Sequence, residues 1–315
     1  MVKAIIFILC SCAYLFIGTL LILVNIPIFL LVITREALRN TYLVPAAVFL
    51  NNGFTGISAV SVGIKRLIIY RDGEQFIDHH ECVLDVTILL LAAYFVDGFS
   101  LLMNSTERLC VVAFPLYYYF HSIRISYLLI IAQYVITIIA ITSVAVASLI
   151  QSSRRISNFC FLSATYSQRF YFASLQLSSA ATLLSIVFMI IVVITLKKKF
   201  GVRNLTSHSN NCDLSHFLKN QKRYTHTALI SCCFTFFLVV VPSIMEDIYT
   251  MDFSSKAQII LVSCMYLRML NSFNMAVVFL YRQKDFRHTA IQCFKNLFYK
   301  RKPNVQPIAV IAFGG

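Results

Sequence analysis

Hydrophobic residues run in seven long stretches along this chain, and short polar segments separate them. A helix needs about 20 apolar residues to cross the hydrocarbon core of a bilayer, so each stretch is long enough to span. A span must also satisfy its own backbone hydrogen bonds, which favours helices. The pattern predicts an all-α membrane protein, a seven-transmembrane helix bundle, with spans at Ala4–Thr34, Tyr42–Ile64, Val83–Thr106, Ile125–Ser153, Phe170–Leu196, Tyr224–Met245 and Ala257–Tyr281.

Composition argues against the soluble classes of protein. Of the 315 residues, 59% are hydrophobic and 13% are charged, whereas a soluble domain has about 25% charged residues. The spans use more than half of the length, so we expect no separate soluble domain. The first stretch is 31 residues long, which exceeds the about 7–15 residues of a signal-peptide core. We therefore expect a retained first helix.

The Lys and Arg residues predict the orientation. If the N-terminus is outside, 18 of the 27 basic residues fall on cytoplasmic segments, 8 fall on exterior segments, and Arg268 lies within a span. Cytoplasmic loops are normally the basic ones, so the N-terminus is expected outside. The net charge of +14 indicates anionic lipid and an acidic cytoplasmic protein surface as partners. Nucleic acid is not expected, because the basic residues are dispersed between spans.

The chain divides into three parts. Residues 1–281 form the bundle, residues 282–302 are predicted to form a short amphipathic eighth helix, and residues 303–315 form a short tail. Apolar residues recur at helical spacing in the second part, which is typical of an interfacial helix. Cys293 lies beside this apolar stripe, and either an acylated cysteine or an unmodified buried thiol fits its place. The longest loop, Lys197–Arg223, is basic and is a predicted docking surface.

A charged motif closes the third span. The span ends Glu107-Arg108-Leu109, and Pro115-Leu116-Tyr117 follows after five residues. These residues resemble the acidic–Arg–aromatic motif and the downstream Pro-Leu of rhodopsin-like G-protein-coupled receptors. Such a motif implies a cytoplasmic switch formed by Glu107, Arg108 and Pro115.

Two cysteines fit the same resemblance. Cys82 opens the third span 26 residues before Arg108, a helical length of about 39 Å, which is one membrane thickness with headgroups. Cys160 lies in the following exterior loop. In the family a disulfide joins these two positions, so the resemblance implies a Cys82–Cys160 bond in a compartment that permits it.

Further matches are partial but occur in the right order. They are Asn25 in the first span, Asn51 in place of the second-span Asp, Pro242 in the sixth span, and Asn271 and Asn274 in an altered Asn-Pro-x-x-Tyr region. Met275 stands where that region has its Pro. The overall pattern most resembles nematode serpentine chemoreceptors of the SX class. This resemblance implies a plasma-membrane protein of sensory-neuron cilia that serves olfaction.

The Glu107–Arg108 pair permits two interpretations. Charges at the end of a span can snorkel and anchor the helix in the headgroups. Alternatively, Glu107 holds Arg108 in one state and releases it to a partner in another, which is the behaviour of a switch. A second polar cluster, formed by Asn25, Asn51, Asn271 and Asn274, is expected to share hydrogen bonds, and simple helix–helix adhesion explains it equally well.

Three charged residues lie inside predicted spans. Asp85 is one turn below the outer surface, and Asp97 and Arg268 lie deeper. A single charge near the bilayer centre is expensive, so pairing is the default expectation. Arg268 either meets an anionic ligand from the exterior or pairs with Asp97. We favour the Asp97–Arg268 pair.

Two other motifs carry less weight. Asp78-His79-His80-Glu81 has residue types that bind metals, but it stands in a loop without another ligand motif, so we interpret it as a polar loop and expect no metal site. The sequon Asn204-Leu205-Thr206 falls on the cytoplasmic side, where it is not modified. We find no pattern typical of catalysis, so neither an enzyme nor a cofactor is expected.

The sequence favours a chemosensory receptor that binds a small molecule from the exterior and activates a heterotrimeric G protein. The expected ligand pocket lies between the outer halves of the helices, with Asp85, Tyr171, Tyr266 and Arg268 as candidate lining residues. The alternative is a secondary transporter or channel that uses Asp97 and Arg268 as a mid-membrane polar site. Uptake without a G protein distinguishes the alternative from the receptor.

Overall fold

A computed structural model describes residues 2–73, 75–203, 230, 233–249 and 255–282 of the chain. The predicted eighth helix, the tail and Cys293 lie outside the described residues, as do Asn204 and most of the loop Lys197–Arg223. The helices are α1 (Val2–Thr34), α2 (Glu36–Asp72), α3 (His79–Val83), α4 (Thr87–Ala113), α5 (Pro115–Leu149), α6 (Leu162–Thr165), α7 (Gln168–Arg203), α8 (Val241–Tyr249) and α9 (Ser255–Arg282).

Five helices in the described part of the chain are long and apolar enough to cross a membrane. They are Ile8–Thr34, Tyr42–Arg71, Thr87–Ala113, Pro115–Leu149 and Gln168–Lys198. These five agree with the first five predicted spans, so a multi-pass all-α membrane protein is consistent with the structure. The sixth predicted span is represented by a shorter apolar helix, Cys233–Glu246, and the seventh by α9. Seven crossings therefore stay a prediction.

Proline determines several helix boundaries that the apolar pattern misplaces. The predicted loop Arg35–Thr41 is helical from Glu36 onward, and the turn is instead a kink at Tyr42, where φ is −126°. Pro45 stands three residues later, and its ring disfavours a regular helix through the preceding turn. Pro115 begins α5 rather than lying in a loop, because its fixed φ suits the first helical turn.

The second helix also extends further than its apolar stretch. Lys65 and Arg66, expected in an exterior loop, lie in α2. The Arg66 side chain is buried, and its guanidinium lies 5.0 Å from the ring centroid of Tyr14 and 5.2 Å from that of Phe161. Two cation–π contacts therefore stabilise a charge that the sequence assigned to solvent.

One end of the bundle is closed by a small sheet and a disulfide. Strands β1 (Phe76–Asp78) and β2 (Arg155–Ser157) pair antiparallel, with Asp78 opposite Arg155. The structure contains the disulfide that the family resemblance implies, between Cys82 and Cys160, whose Cα atoms are 5.5 Å apart. We call this the disulfide end, and we call the opposite end, where α4 meets α5, the Glu107 end.

The two largest apolar clusters of the core have a polar layer between them. The cluster at the disulfide end includes Tyr14, Leu90, Tyr166, Tyr171 and Met269. The cluster toward the Glu107 end includes Ile28, Phe49, Met103, Met275 and Phe279. Asn25, Asn51, Asn52 and Asp97 lie between these clusters along their helices, so the polar layer crosses the middle of the bundle.

Glycine permits the closest helix contacts beside this layer. A Cβ atom at Gly18 would lie 2.7 Å from the Gly56 carbonyl oxygen, and one at Gly56 would lie 2.7 Å from the Gly18 carbonyl oxygen. At Gly98, next to Asp97, a Cβ atom would lie 2.4 Å from the Ser178 carbonyl oxygen. Small residues let membrane helices approach closely, and these contacts fix α1 against α2 and α4 against α7.

Candidate functional site

The Glu107 end holds a buried ion pair. An Arg108 guanidinium nitrogen lies 2.8 Å from a Glu107 carboxylate oxygen, and the two side chains are 5% and 1% exposed. The other Glu107 oxygen accepts hydrogen bonds from the Tyr118 hydroxyl at 2.9 Å and the Ser126 hydroxyl at 3.2 Å. Three groups therefore satisfy one carboxylate inside the protein.

The break between α4 and α5 creates this arrangement. Phe114 leaves the helical region, with φ −127° and ψ 63°, and Pro115 restarts the chain as α5. The new helix brings Tyr118 and Ser126 to the end of α4 that carries Glu107. Pro115 therefore has a positioning role at the predicted switch, while the hydrogen bonds come from residues that follow it.

The first part of the polar layer joins α2, α4 and α5. The Asn51 amide donates to the Ser100 hydroxyl at 2.7 Å and accepts from the Tyr134 hydroxyl at 2.7 Å. The Gln133 amide also donates to the Ser100 hydroxyl, at 2.8 Å. Asn51 therefore joins three helices, although the sequence grouped it with Asn25, Asn271 and Asn274.

The second part joins α1, α2, α4 and α9. The Asn52 amide donates to the Asn25 side-chain oxygen at 3.4 Å, and the Asn25 amide donates to the Ser272 carbonyl at 3.5 Å. The Ser272 hydroxyl donates to the Asp97 carboxylate at 3.3 Å. Asp97 therefore receives hydrogen bonds from Ser272 and Asn271 of α9, the helix that also carries Arg268.

The third part surrounds a change of helix type. The Thr235 hydroxyl donates to the Asn271 side-chain oxygen at 2.8 Å, and the Asn274 amide donates to the Thr235 hydroxyl at 3.2 Å. Residues Phe236–Val240 then form a π-helical turn that leads into α8. Pro242 follows this turn and lacks the N–H that a regular α-helix requires. Such π turns are frequent at functional sites.

Two small cavities adjoin Asp97. The first is lined by Asn52, Asp97, Ser100, Thr235 and Asn274, among others, and the space open to a water centre is about 10 Å³. The second, also about 10 Å³, is lined by residues that include Tyr94, Ser178, Thr182, Val239 and Arg268. Each is close to the size that one water molecule needs. Asp97, Leu101 and Asn271 line both cavities, so Asp97 lies at their boundary.

The expected Asp97–Arg268 pair is wrong. An Arg268 guanidinium nitrogen lies 2.7 Å from a Glu246 carboxylate oxygen and donates to the Ser243 hydroxyl at 3.0 Å. The side chains of Arg268 and Glu246 are 9% and 7% exposed. The pair links α9 to α8. Asp97 lies near Arg268 as well, since both line the second cavity, but the direct ion pair is with Glu246.

The four expected ligand-pocket residues do not form one pocket. Arg268 lines the second cavity, and Tyr171 is buried with the Glu246 carboxylate as a neighbour. The Tyr266 hydroxyl instead donates to the Cys10 carbonyl at 2.7 Å. Asp85 forms an ion pair with Lys65. The structure therefore places Asp85 in a contact with α2 and Tyr266 in a contact with α1.

Several residues of these sites were missed from the sequence. Glu246 stands one residue beyond the predicted sixth span. An acidic residue at the end of a span could have been considered as a partner for Arg268. Tyr118 and Ser126 had no such signal, because only the fold of α5 against α4 brings them to Glu107. Gln133 was detectable as a polar residue within an apolar run, and it is buried.

Comparison with known proteins adds no relative. No protein-family model matches the chain, and a search of curated proteins finds no significant match. The family resemblance therefore rests only on the motifs at Glu107–Arg108, Cys82 and Asn271–Asn274.

Proposed function

We propose that this protein is a seven-transmembrane receptor of the plasma membrane that binds a small molecule from the exterior and activates a heterotrimeric G protein. Its N-terminus is outside, and its basic loops face the inner leaflet and the G protein. The chemosensory role in sensory cilia belongs to the same proposal and follows from the resemblance to nematode serpentine receptors.

The buried Glu107–Arg108 pair is the observation that carries this proposal. An anchoring arginine extends its charged end toward water or headgroups. Here both charged side chains are almost fully enclosed by protein, at 5% and 1% exposure, and Tyr118 and Ser126 of α5 complete the contacts of Glu107. Such an enclosed pair supports a latch between α4 and α5, because breaking it exposes Arg108 at the surface.

In this proposal the ligand site forms around the second cavity, which in the present packing has room for about one water molecule and opens in the packing that binds the ligand. Its lining comes from α4, α7, the π-helical turn and α9, and it includes Tyr94, Ser178, Thr182 and Arg268. A ligand that interacts with Arg268 changes the contact of α9 with α8, because Glu246 holds the same guanidinium. A bound molecule would thereby favour one of two bundle packings, as a population shift requires.

A test of the latch does not require the ligand. Glu107→Ala removes the acceptor that holds Arg108, so we expect ligand-independent signalling to rise in cells that express a promiscuous G protein. Adding Arg108→Lys to Glu107→Ala should abolish this signal at matched surface levels. Lysine retains the charge but lacks the planar, multidentate guanidinium that a receptor–partner contact uses.

Arg124→Lys is the matched control, since Arg124 is an exposed arginine near the start of α5. The control should leave the signal of Glu107→Ala unchanged. The latch would be refuted if the double variant Glu107→Ala with Arg108→Lys signalled as strongly as the double variant Glu107→Ala with Arg124→Lys. No rise in signalling with Glu107→Ala, in a protein that reaches the surface, would count against the receptor as a whole.

A transporter or channel is the second candidate function. It is favoured by one observation: Asp97, an acidic residue in the middle of α4, borders both cavities. Proteoliposomes that contain the full chain would then accumulate a solute or pass current without a G protein, and Asp97→Asn would reduce that flux. Absence of flux together with G-protein signalling would favour the receptor.

A further inference from the structure

The turn from β1 into α3 brings three metal-binding side chains to one point at the disulfide end. Asp78 closes the strand with extended backbone and accepts the N–H of His80 at 3.1 Å. One oxygen of Asp78 lies 3.2 Å from His79 Nδ1 and 3.1 Å from His80 Nδ1. The three ligand atoms all lie within 4.8 Å of one another.

These distances suit a shared cation. Ligand atoms bound to Zn²⁺ at about 2.0–2.2 Å in a tetrahedron lie roughly 3.3–3.6 Å apart. The two Asp78–histidine distances, 3.2 Å and 3.1 Å, are slightly shorter than this separation. The two Nδ1 nitrogens lie within 4.8 Å of each other, so a zinc ion at the centre requires the side chains to adjust their positions.

The second nitrogen of each histidine fixes its tautomer. His79 Nε2 lies 3.1 Å from the Ser148 carbonyl oxygen, and His80 Nε2 lies 3.1 Å from the Leu149 carbonyl oxygen and 3.2 Å from that of Gln151. A carbonyl only accepts, so Nε2 carries the hydrogen in both rings. In a neutral ring, Nδ1 then carries a lone pair that a cation can use, although at His79 this lone pair accepts the backbone N–H of Arg154.

This arrangement is typical of metal-ligating histidines. Their remaining ring N–H usually donates to a backbone carbonyl or carboxylate, which orients the ring. The ligand carboxylate is supported in the same way, because the Ser153 hydroxyl donates to the other oxygen of Asp78 at 2.5 Å. The Ser153 hydroxyl and the His80 backbone N–H together hold this carboxylate in place.

The cluster is accessible from solvent on one side. The side chains of His80 and Asp78 are 33% and 37% exposed, whereas that of His79 is fully buried. The backbone N–H of Arg154 donates to His79 Nδ1 at 3.3 Å, and a cation must displace this long hydrogen bond. The fourth coordination position faces the solvent-exposed side and suits a water molecule.

We infer that Asp78, His79 and His80 form a binding site for a divalent transition-metal ion, with Zn²⁺ as the best-suited ion. Two imidazoles and one carboxylate match zinc, and they match copper as well. They do not match Ca²⁺ or Mg²⁺, which prefer oxygen ligands. A bound ion would fix the β1–α3 turn, whose histidines contact the last carbonyls of α5, only a few residues from the Cys82–Cys160 disulfide.

Zinc binding to the purified full-length chain in detergent tests this inference. ZnCl₂ at pH 7.5 should raise the unfolding temperature and bind one ion per chain, while MgCl₂ should do neither. A ligand that binds only the folded state stabilises it by mass action. His80→Gln should weaken zinc binding by at least about 10-fold, because glutamine supplies an amide N–H for the Leu149 carbonyl and no Nδ1 ligand.

Asp78→Asn is the second variant and should weaken zinc binding similarly. His121→Gln is the matched control, because this histidine lies near the Glu107 end, in α5, and it should bind zinc like the unmodified chain. An unchanged zinc response in both His80→Gln and Asp78→Asn would overturn the site. The site would also be overturned if ZnCl₂ neither bound to the unmodified chain nor changed its unfolding temperature. The same holds if its unfolding temperature responded to pH alone.

Discussion

The two buried ion pairs differ in how the chain makes them. Glu107 and Arg108 are neighbours in sequence, at one end of α4, and their pairing needs no other helix. Glu246 and Arg268 are 22 positions apart on different helices, and their pairing depends on how α8 packs on α9. The partner of a charged residue can be predicted from the sequence when it is a neighbouring residue. When the partner lies on another helix, several acidic residues are candidates and the sequence does not distinguish them.

The surroundings of the two pairs differ as well. Glu107 keeps two hydroxyl donors, Tyr118 and Ser126, when Arg108 is removed. At the second pair the neutral partners are divided, because Arg268 donates to the Ser243 hydroxyl and the Tyr171 hydroxyl hydrogen-bonds Glu246. A pair supported by neutral hydrogen bonds can open at moderate cost, which suits a switch. The second pair instead joins two helices, so opening it also changes how α8 packs on α9.

The largest expected effect breaks the link between α8 and α9. Arg268→Met leaves the Glu246 carboxylate buried without its counter-charge, and we expect it to destabilise the protein by about 3–5 kcal/mol. Adding Glu246→Gln should recover more than half of the loss, because no charge then stays buried. Thermal unfolding of the purified protein in detergent measures both. A double variant as unstable as Arg268→Met would contradict the pairing.

The disulfide is a third contact to compare with the two ion pairs. It joins residues that are distant in sequence, yet the family resemblance predicted it. Cys82 and Cys160 are 78 positions apart, and removing the bond should cost about 2–4 kcal/mol. Cys82→Ser should reduce surface expression, and adding Cys160→Ser should not reduce it further. Signalling by the Glu107→Ala background should persist in the protein that reaches the surface. Free alkylation of both cysteines in the native, unreduced protein would reject the bond.

A smaller effect is expected at the Glu107 pair. Tyr118→Phe removes a 2.9 Å hydrogen bond to the carboxylate, and bonds to charged groups contribute about 1.5–3 kcal/mol. Because this hydrogen bond belongs to the latched state, its removal destabilises that state. We therefore expect basal signalling to rise and the stability of the protein to fall. Tyr117→Phe is the matched control, since Tyr117 is exposed. Equal effects of the two changes would remove Tyr118 from the latch.

The smallest effect is expected from Ser126→Ala. Its hydrogen bond to Glu107 is longer, at 3.2 Å, and it shares an oxygen with Tyr118, so we expect a loss of about 1 kcal/mol. Combined with Tyr118→Phe, the effect should exceed the sum of the two, because one Glu107 oxygen then loses both of its hydroxyl donors. Strict additivity in unfolding measurements would show that the two hydroxyls act independently.

Much of the fold follows from the apolar pattern. The first five predicted spans came from long apolar runs, four of them without charge and one with Asp85 and Asp97, and the described helices agree because a membrane helix must be mainly apolar. The helix ends were predicted less well. Prolines at positions 45 and 115, and cation–π contacts at Arg66, move the boundaries, and these effects act at single residues rather than over a stretch.

The sequence by itself determined the apolar helices, the local pair Glu107–Arg108 and, through the family resemblance, the Cys82–Cys160 disulfide. Only the tertiary structure decided that Arg268 meets Glu246 rather than Asp97, and that Asp78, His79 and His80 converge. The reason is physical: composition over a stretch sets the transfer energy of a helix into the bilayer. The partner of a single polar side chain depends instead on how helices rotate and turn, to within a few ångströms.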